Sequence, residues 1–524
     1  MDWNNYLFNA IKRRIEENFE SPVFLFSDAD GKVNPLNNNL ILEYIDSYIK
    51  ELKRYDGRIC VIYHDIDERL IGFIIAAFSC KVKILIRRTT LESGDAVYDD
   101  ISGVKKVLPV HLIYDNDGIH ILDNSESNVK YDTGNFDFIQ LSSGTTETAK
   151  AFCLSIEGMI DSAYHIEKIQ HVDDRSVFLS YLTLSHIYGF VSGFILPIVS
   201  CAKGVFCKTS YIKNDSDLLF KIISAEKITH TSVIMSTLIQ GIENKSEKWD
   251  LSSLICASLG GEKVDIENFN RILSGLSCLG MNKKALVNSY GMSEKGSITM
   301  EDPFVGNTVC VADGNTFVSV GNDTFEDTEI IILNDQYCKT EDFKEGIIGI
   351  ASPYMAAGYF RDCSFYNLEY VIADNKKYYC NGDKGFIRDN KVFVTGRMVN
   401  TITYNGLKIA SDLLNDSIAG MFRDCSVMVR RCYTFNYPEY VNYVVCFVDY
   451  SEEITDAVKK IVCERTEKHY HISLKDVWVN NYEGHGLNKI SLPDIIKKYK
   501  NYLNNNEQER KSIHADIFLQ NNKQ

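Results

Sequence analysis

The apolar and polar positions of this chain fall into short blocks. Arg58–Tyr63 is a continuous apolar run of strand length, Glu68–Cys80 a longer one with few polar positions, and Val82–Ile86 a second short run. This pattern predicts a βαβ unit whose helix is buried nearly all round. Leu112–Leu122 predicts a hairpin turning on Asp115-Asn116-Asp117-Gly118. Further on, the pattern predicts a helix over about Ile156–His165, strands at Val177–Leu182 and Gly204–Phe206, and a helix over Ser216–Ile228. Strands return at Thr231–Met235 and Leu254–Leu259. Strands alternating with helices imply an α/β architecture with parallel sheets. Gly306–Tyr370 is rich in strand-forming residues broken by Asp, Asn and Gly, which predicts a β-rich subdomain. From about Asn400 the pattern changes: Ser426–Arg430, Tyr443–Val448 and Val477–Val479 read as strands, and Ser451–Tyr470 as a helix capped by Ser451. The expected organisation is a large N-terminal domain over residues 1–399, a small α+β domain over 400–500, and a polar tail over 501–524.

Composition narrows the function classes. The 524 residues exceed one core and suggest about three structural units. The net charge of −15 argues against a nucleic-acid or anionic-membrane partner, so positive charge for any nucleotide must be concentrated locally. The fifteen cysteines are scattered singly, none at Cys-x2-Cys spacing. Several sit in apolar runs, as Cys446 does, which suggests neither zinc nor a disulfide framework and makes a reducing cytoplasm the expected compartment. No basic leader precedes an apolar core at the N-terminus. The longest apolar stretch, near Tyr188–Val199, is too short and too broken by glycine to span a bilayer.

Chemistry concentrates between Phe138 and Phe152, where an apolar run ends in Ser142-Ser143-Gly144-Thr145-Thr146-Glu147-Thr148-Ala149-Lys150. Hydroxyls from Ser142, Ser143, Thr145 and Thr146, close backbone approach at Gly144 and the charge of Lys150 make a phosphate cradle. It is not the P-loop pattern, because the lysine follows the hydroxyls and no second glycine precedes it.

The segment resembles the Ser/Thr-Gly-Thr-Thr-Gly-x-Pro-Lys loop of the adenylate-forming superfamily, which holds acyl-CoA synthetases, nonribosomal adenylation domains and luciferases. Further segments resemble that family's motifs in the same order. Tyr181–Phe190, containing His186-Ile187-Tyr188-Gly189, resembles the segment that lines the carboxylate pocket, so His186, Tyr188 and Gly189 are implied substrate contacts. No aspartate stands between Tyr181 and Gly193 to hold an α-ammonium, which favours a carboxylic acid without one. Gly260-Gly261-Glu262 resembles the backbone that packs against adenine, and Asn288-Ser289-Tyr290-Gly291-Met292-Ser293-Glu294 resembles the Tyr-Gly-x-Thr-Glu motif. The resemblance implies that Tyr290 stacks on adenine and that Gly291 leaves room for the acyl group. Ser293 keeps the motif's hydroxyl, and Glu294 holds Mg2+, with Thr146 as second candidate ligand.

Glu345–Tyr359 resembles a structural segment of the family, and Asn381-Gly382-Asp383 the Thr-Gly-Asp whose aspartate binds the ribose hydroxyls. Gly396-Arg397-Met398-Val399-Asn400 resembles Gly-Arg-x-x-Asp, with Arg397 at ribose and phosphate and Asn400 at the hinge. Gly486–Ser491 resembles the Gly-Lys-Ile segment that carries the catalytic lysine, here Lys489. Seven such segments lie between about Gly57 and Leu492.

The implied activity is ATP-dependent activation of a carboxylic acid as acyl-adenylate, with transfer to a thiol of coenzyme A or of a carrier protein's phosphopantetheine arm. The partners so implied are a small-molecule acid and an acyl or peptidyl carrier protein, and the small domain is a mobile lid. Departures from the family pattern are Glu147 for glycine, Ala149 for proline, Ala151 for glycine, Asn400 for the hinge aspartate, Thr403 for lysine and Leu492 for arginine. They leave two alternatives: an amino-acid-activating domain feeding a carrier protein, and a non-catalytic adenylate-binding protein.

Overall fold

The computed structural model describes residues 2–17, 22–64, 66–87, 104–107, 109–122, 136–141, 150–244, 249–262, 264, 266–312, 315–334, 336–361, 363–397, 401–404, 407–429, 431–437, 443–450, 452–470, 472–480 and 492–505. Two compact units are present, one built on residues up to Val394 and the other on residues from Thr395, with Gly382–Lys384 falling with the second.

In the first unit, an eight-stranded sheet runs in the order Gly296–Met300, Leu286–Met292, Cys256–Leu259, His230–Val233, Val177–Ser180, Lys203–Cys207, Phe24–Ser27 and Val33–Pro35. The six inner strands are parallel and the two edge strands antiparallel. The chain goes from Val177–Ser180 to Lys203–Cys207 on one side, then crosses to His230–Val233 on the other. That reversal makes a crevice at the carboxyl ends of Val177–Ser180 and His230–Val233, where open α/β sheets take their ligands. A second eight-stranded sheet has the expected pair Ile59–Ile62 and Lys83–Ile86 at its centre and the expected hairpin Leu112–Asp115/Gly118–Ile121 at one edge.

One core joins the two sheets. Phe24, Phe178 and Phe206 of the first and Cys60, Ile62, Ile84 and Phe138 of the second share it with helices Glu68–Ser79, Ile156–Gln170 and the helical segment Ile187–Val199. The helix Glu68–Ser79 is buried over nine consecutive residues, Leu70–Phe78, as an all-apolar sequence demands. The segment Ile187–Val199 contains a π turn over Val191–Ile195 just before Pro197, whose ring nitrogen has no hydrogen to continue the α ladder. Alternate strand residues face outward into separate cores: Leu179, Val205 and Leu259 against helices Asp217–Ala225, Met235–Asn244 and Ile266–Cys278, and Ile59, Val61 and Leu85 against Ile139 and Phe360.

A seven-stranded sheet, reaching from Thr324–Phe325 to Lys391–Arg397, forms the β-rich region, which continues past Tyr370. The second unit has a three-stranded sheet in the order Arg431–Asn436, Val444–Asp449, Leu474–Asn480. Val444–Asp449 is buried at every position because both faces are covered. Val444, Cys446 and Val448 pack with helices Ser411–Asp424 and Asp456–Tyr470, while Val445 and Phe447 pack with Trp478 of strand Leu474–Asn480 and with Tyr499 of helix Leu492–Asn505.

Several expectations are corrected. Ala151–Leu154, to which no element was assigned, is a fully buried strand antiparallel to Phe138–Leu141. The strand expected at Ser426–Arg430 lies at Arg431–Asn436, where Cys432, Thr434 and Phe435 are buried. The helix expected from Ser451 starts at Asp456, because Ile454 is drawn into the core before it. The tail from residue 501 begins inside helix Leu492–Asn505, with Leu503 buried. No disulfide joins any of the fifteen cysteines, and among the described residues no helix is long and apolar enough to cross a membrane.

His230 gives this fold an acid sensitivity. Its Nε2 donates to the Gln170 carbonyl at 2.9 Å in a site with no solvent exposure, and burial lowers its pKa from 6.5 to about 4. As pH falls below 6.5 the unfolded chain takes up a proton that the folded chain refuses until about pH 4, so stability is lost across that window. His230→Gln should reduce the acid-side loss by up to about 3 kcal/mol. Chemical denaturation at a series of pH values measures it; parallel curves for the two proteins would refute the assignment.

Candidate functional site

The carboxyl ends of the inner strands carry most of the singled-out residues that are described. Tyr188, the second residue of the segment Ile187–Val199, passes across these strand ends and donates its hydroxyl to the Ser258 carbonyl at 2.7 Å. The side chains of Ser232, Ser258 and Ser289 surround that buried hydroxyl, and burial raises its pKa. Gly260 permits this packing: a Cβ there would lie 2.6 Å from Ser289 Oγ and 3.2 Å from Tyr188 Cζ. Ser289 Oγ in turn donates to the Leu259 carbonyl at 2.9 Å. Tyr188, Gly260 and Ser289 are therefore one contact cluster.

His186 is exposed and caps the helix start, its Nδ1 accepting from the Tyr188 backbone N–H at 3.2 Å. Gly189 is buried with its Cα against the Thr183 carbonyl. Of the other apolar side chains in the expected pocket segment, Ile187 and Phe190 are buried in the main core and do not line a pocket. The helical turn alternates its faces, and only Tyr188 is aimed at the strand ends.

Gly261 is exposed, and Glu262 reaches Ser236 Oγ at 3.5 Å. Asn288 is buried, its Oδ1 accepting from Ser289 N–H at 3.1 Å and its own N–H donating to Asn307 Oδ1 at 2.7 Å. The strand is irregular between Tyr290 and Gly291, and a Cβ on Gly291 would lie 2.4 Å from the Gly296 carbonyl oxygen. Only glycine allows the hairpin to close so tightly. Tyr290 and Ser293 are half-buried beside it.

Glu294 lies in the turn between the two hairpin strands and is 8 % exposed. Tyr379, which sequence reading missed, donates its hydroxyl to Glu294 Oε1 at 2.8 Å. Burial and the neighbouring carboxylate both hold the Tyr379 hydroxyl protonated. Among the described residues no three metal-binding side chains cluster, but a single fixed carboxylate suits Mg2+, which keeps its other ligands as water and nucleotide phosphate.

A second missed feature lies behind the turn. Lys295 is fully buried, its Nζ donating to Ser162 Oγ at 3.0 Å and standing 3.6 Å from Asp161 Oδ2. Burial lowers its pKa and Asp161 opposes that. His165 Nε2 stands 3.5 Å from Asp161 Oδ1 and 3.2 Å from Glu326 Oε2, with its pKa lowered mainly by burial, and Lys168 bonds the same Glu326. Two ammonium groups thus meet two carboxylates around a neutral imidazole. The spacing of Asp161 and His165 puts them on one helix face and was visible in the sequence; the burial of Lys295 was not.

Lys150 is half-buried, its Nζ 4.9 Å from the centroid of the Tyr359 ring. Ser142, Ser143, Gly144, Thr145, Thr146 and Lys489 lie outside the described residues, as does the hinge position Asn400. Asp383 is buried at the start of strand Asp383–Arg388, and Arg397 ends strand Lys391–Arg397, its side chain outside the described set.

A parallel sheet with a topological crossing, with Gly260 at one strand end and the buried Glu294 in the neighbouring hairpin turn, is the kind of α/β arrangement that takes ligands at the carboxyl ends of its strands. The model of the AMP-binding enzyme family matches residues 53–360, and the chain belongs to that family, part of the adenylate-forming superfamily. Among curated proteins it is similar to the D-alanine–D-alanyl carrier protein ligase of Bacillus velezensis, at 24% identity over 60% of this chain and 60% of that one. It also resembles a medium-chain-fatty-acid–[acyl-carrier-protein] ligase of Moorena producens, at 23% identity over 51% and 50%. The chain thus spans half to three-fifths of the length of these relatives.

Among solved structures, fatty acyl-adenylate ligases from E. coli and L. pneumophila align over 95% of this chain and 98% of theirs, with TM-score 0.77 and 16% identity. The McyG A-PCP structure complexed with phenylalanyl-adenylate aligns over 97% and 98%, with TM-score 0.75 and 14% identity. At such identities the likeness concerns the fold: a large α/β N-terminal domain and a small C-terminal domain.

The Lys295 cluster should contribute to stability as a unit. Lys295→Met leaves Asp161 without its ammonium and should cost about 2–3 kcal/mol, moderated because Asp161 keeps some solvent exposure and His165. Adding Asp161→Asn should recover part of that loss. Denaturant unfolding of both single variants and the double tests the pairing; strictly additive losses would refute it.

Proposed function

We propose that this protein activates a carboxylic acid with ATP and passes the acyl group to a thiol, either coenzyme A or a carrier protein's phosphopantetheine arm. The observation that carries the reading is the buried Glu294, locked by Tyr379 at the end of the hairpin that also holds Tyr290 and Gly291. Family membership and the names of the carrier-protein ligase relatives support it.

A carboxylate is a poor electrophile at neutral pH. In the first half-reaction its oxygen attacks the α-phosphorus of ATP, forming the acyl–phosphate bond as the bond to pyrophosphate breaks. In the second, a thiolate attacks the acyl carbon and AMP leaves. Tyr290 and the backbone around Gly261 and Glu262 would flank the adenine, Asp383 would accept from both ribose hydroxyls, and Arg397 would reach ribose and phosphate. Glu294 would hold Mg2+, with Thr146 as a second ligand, and the ion would neutralise phosphate charge. Ser142, Ser143, Gly144, Thr145, Thr146 and Lys150 would cradle the phosphates, and Lys489 would neutralise charge developing at the α-phosphate. His186, Tyr188, Gly189 and Gly291 would border the acid.

Lys489→Ala should slow single-turnover adenylate formation by about 10²–10³ with ATP affinity nearly unchanged. A wild-type rate would remove the lysine from the chemistry.

The ribose and metal roles separate by calorimetry. Asp383→Ala should weaken ATP and AMP alike, whereas Glu294→Gln should weaken Mg2+–ATP and spare AMP. Equal losses for both ligands in both variants would mean that these roles are misassigned.

A further inference from the structure

Glu294, the carboxylate that the reading above gives to Mg2+, is held at both ends. At its backbone, the Glu294 carbonyl accepts from the Ala356 N–H at 2.7 Å, and the next residue, Lys295, is anchored by Ser162 and Asp161. At its tip, Oε1 accepts from the Tyr379 hydroxyl at 2.8 Å. A buried carboxylate fixed in this way does not present its two oxygens alike.

Tyr379 is itself well supported. It ends strand Lys376–Tyr379, paired with Ile350 of strand Gly346–Ala351 on one side and with Tyr370 of strand Tyr370–Ala373 on the other. Its ring meets the Tyr370 ring edge-on at 6.2 Å and packs against the core that contains Ile348 and Ile350. The preceding residue, Tyr378, enters a different core on the opposite face, as alternation along a strand requires, and donates to Glu329 Oε2 at 3.0 Å. Successive residues of one strand thus make two tyrosine–glutamate hydrogen bonds, and the bond from Tyr379 is the one that meets the hairpin turn.

The two common divalent ions ask different things of a carboxylate. Ca2+ takes more oxygen ligands in looser geometry and often binds both oxygens of one carboxylate, whereas Mg2+ demands a tight octahedron, keeps several waters and takes few carboxylate oxygens. Oε1, already accepting a hydrogen bond from a phenol, is the poorer second ligand. The Tyr379 bond therefore handicaps two-oxygen binding by the larger ion more than one-oxygen binding by the smaller. We propose that Tyr379 is a positioning residue that limits Glu294 to one oxygen for the nucleotide's divalent cation, and so sets a preference for Mg2+ over Ca2+. The inference rests on the metal role proposed for Glu294.

The test is calorimetric titration of Mg2+–ATP, Ca2+–ATP and metal-free AMP into the full chain. The unaltered protein should bind Mg2+–ATP about tenfold or more tighter than Ca2+–ATP, and Tyr379→Phe, which keeps the ring, should reduce that ratio by about tenfold while leaving AMP unchanged. Tyr378→Phe removes the matching bond to Glu329 and should leave the ratio as it was; an equal change there would reduce Tyr379 to a general support of the sheet and overturn the proposal. Equal affinity for the two metal complexes in the unaltered protein also overturns it, and this measurement decides even if Tyr379→Phe does not fold. Glu294→Gln separates the two readings. If it weakens both metal complexes while Tyr379→Phe keeps the unaltered ratio, the proposal for Tyr379 falls and the metal role of Glu294 stands. If it spares both complexes, the metal role fails and this proposal with it.

Discussion

The first unit depends on burying one apolar helical segment between two sheets. Phe190 stacks on Phe138 of the second sheet at 4.4 Å and on Phe194 at 5.4 Å, and Phe194 lies parallel to Phe24 of the first sheet at 6.3 Å. All four rings are fully buried. This aromatic column fixes the distance between the sheets and the rotation of the segment. Because Tyr188 is two residues from Phe190, fixing the column also fixes where the Tyr188 ring goes. A side chain at the strand ends thus inherits its position from the core, which is the most rigid support a fold can give it.

The hairpin bearing Tyr290 to Glu294 is held by polar bonds. On one side Lys295 enters the Asp161–Ser162 pair; on the other, Glu301, fully buried, receives Ser319 Oγ and Lys391. Each buried charge has an opposite partner and hydrogen bonds, the condition under which interior charge is tolerated. Such bonds are directional, so they set the hairpin's placement more sharply than apolar packing would. Tyr379 adds a third fixed point from the seven-stranded sheet.

The α/β class, the central βαβ unit and the hairpin at Asp115–Gly118 were legible because period and turn chemistry are local properties. Gly260 and Gly291 were singled out by their resemblance to family motifs, not by period or turn chemistry. What escaped was non-local. Ala151–Leu154 becomes a strand only because Phe138–Leu141 and Gly358–Arg361 lie on either side of it. Lys295 looks like any surface lysine until Asp161 and Ser162, more than a hundred residues earlier, close over it. Nor does composition say which way a helix turns: Ile187 and Phe190 face the core.

The π turn at Val191–Ile195 has a consequence for how such a protein can change. One extra residue in a helical turn rotates everything before it by about 100° relative to everything after it. The segment is thereby two helices of different phase on one axis. Substitutions at Tyr188 or Ser192 answer to the strand ends, and substitutions from Leu196 onward answer to the packing of Phe24 and Ala202, with the turn absorbing the mismatch. Divergence in what the crevice accepts is then uncoupled from the interior that keeps the sheets apart.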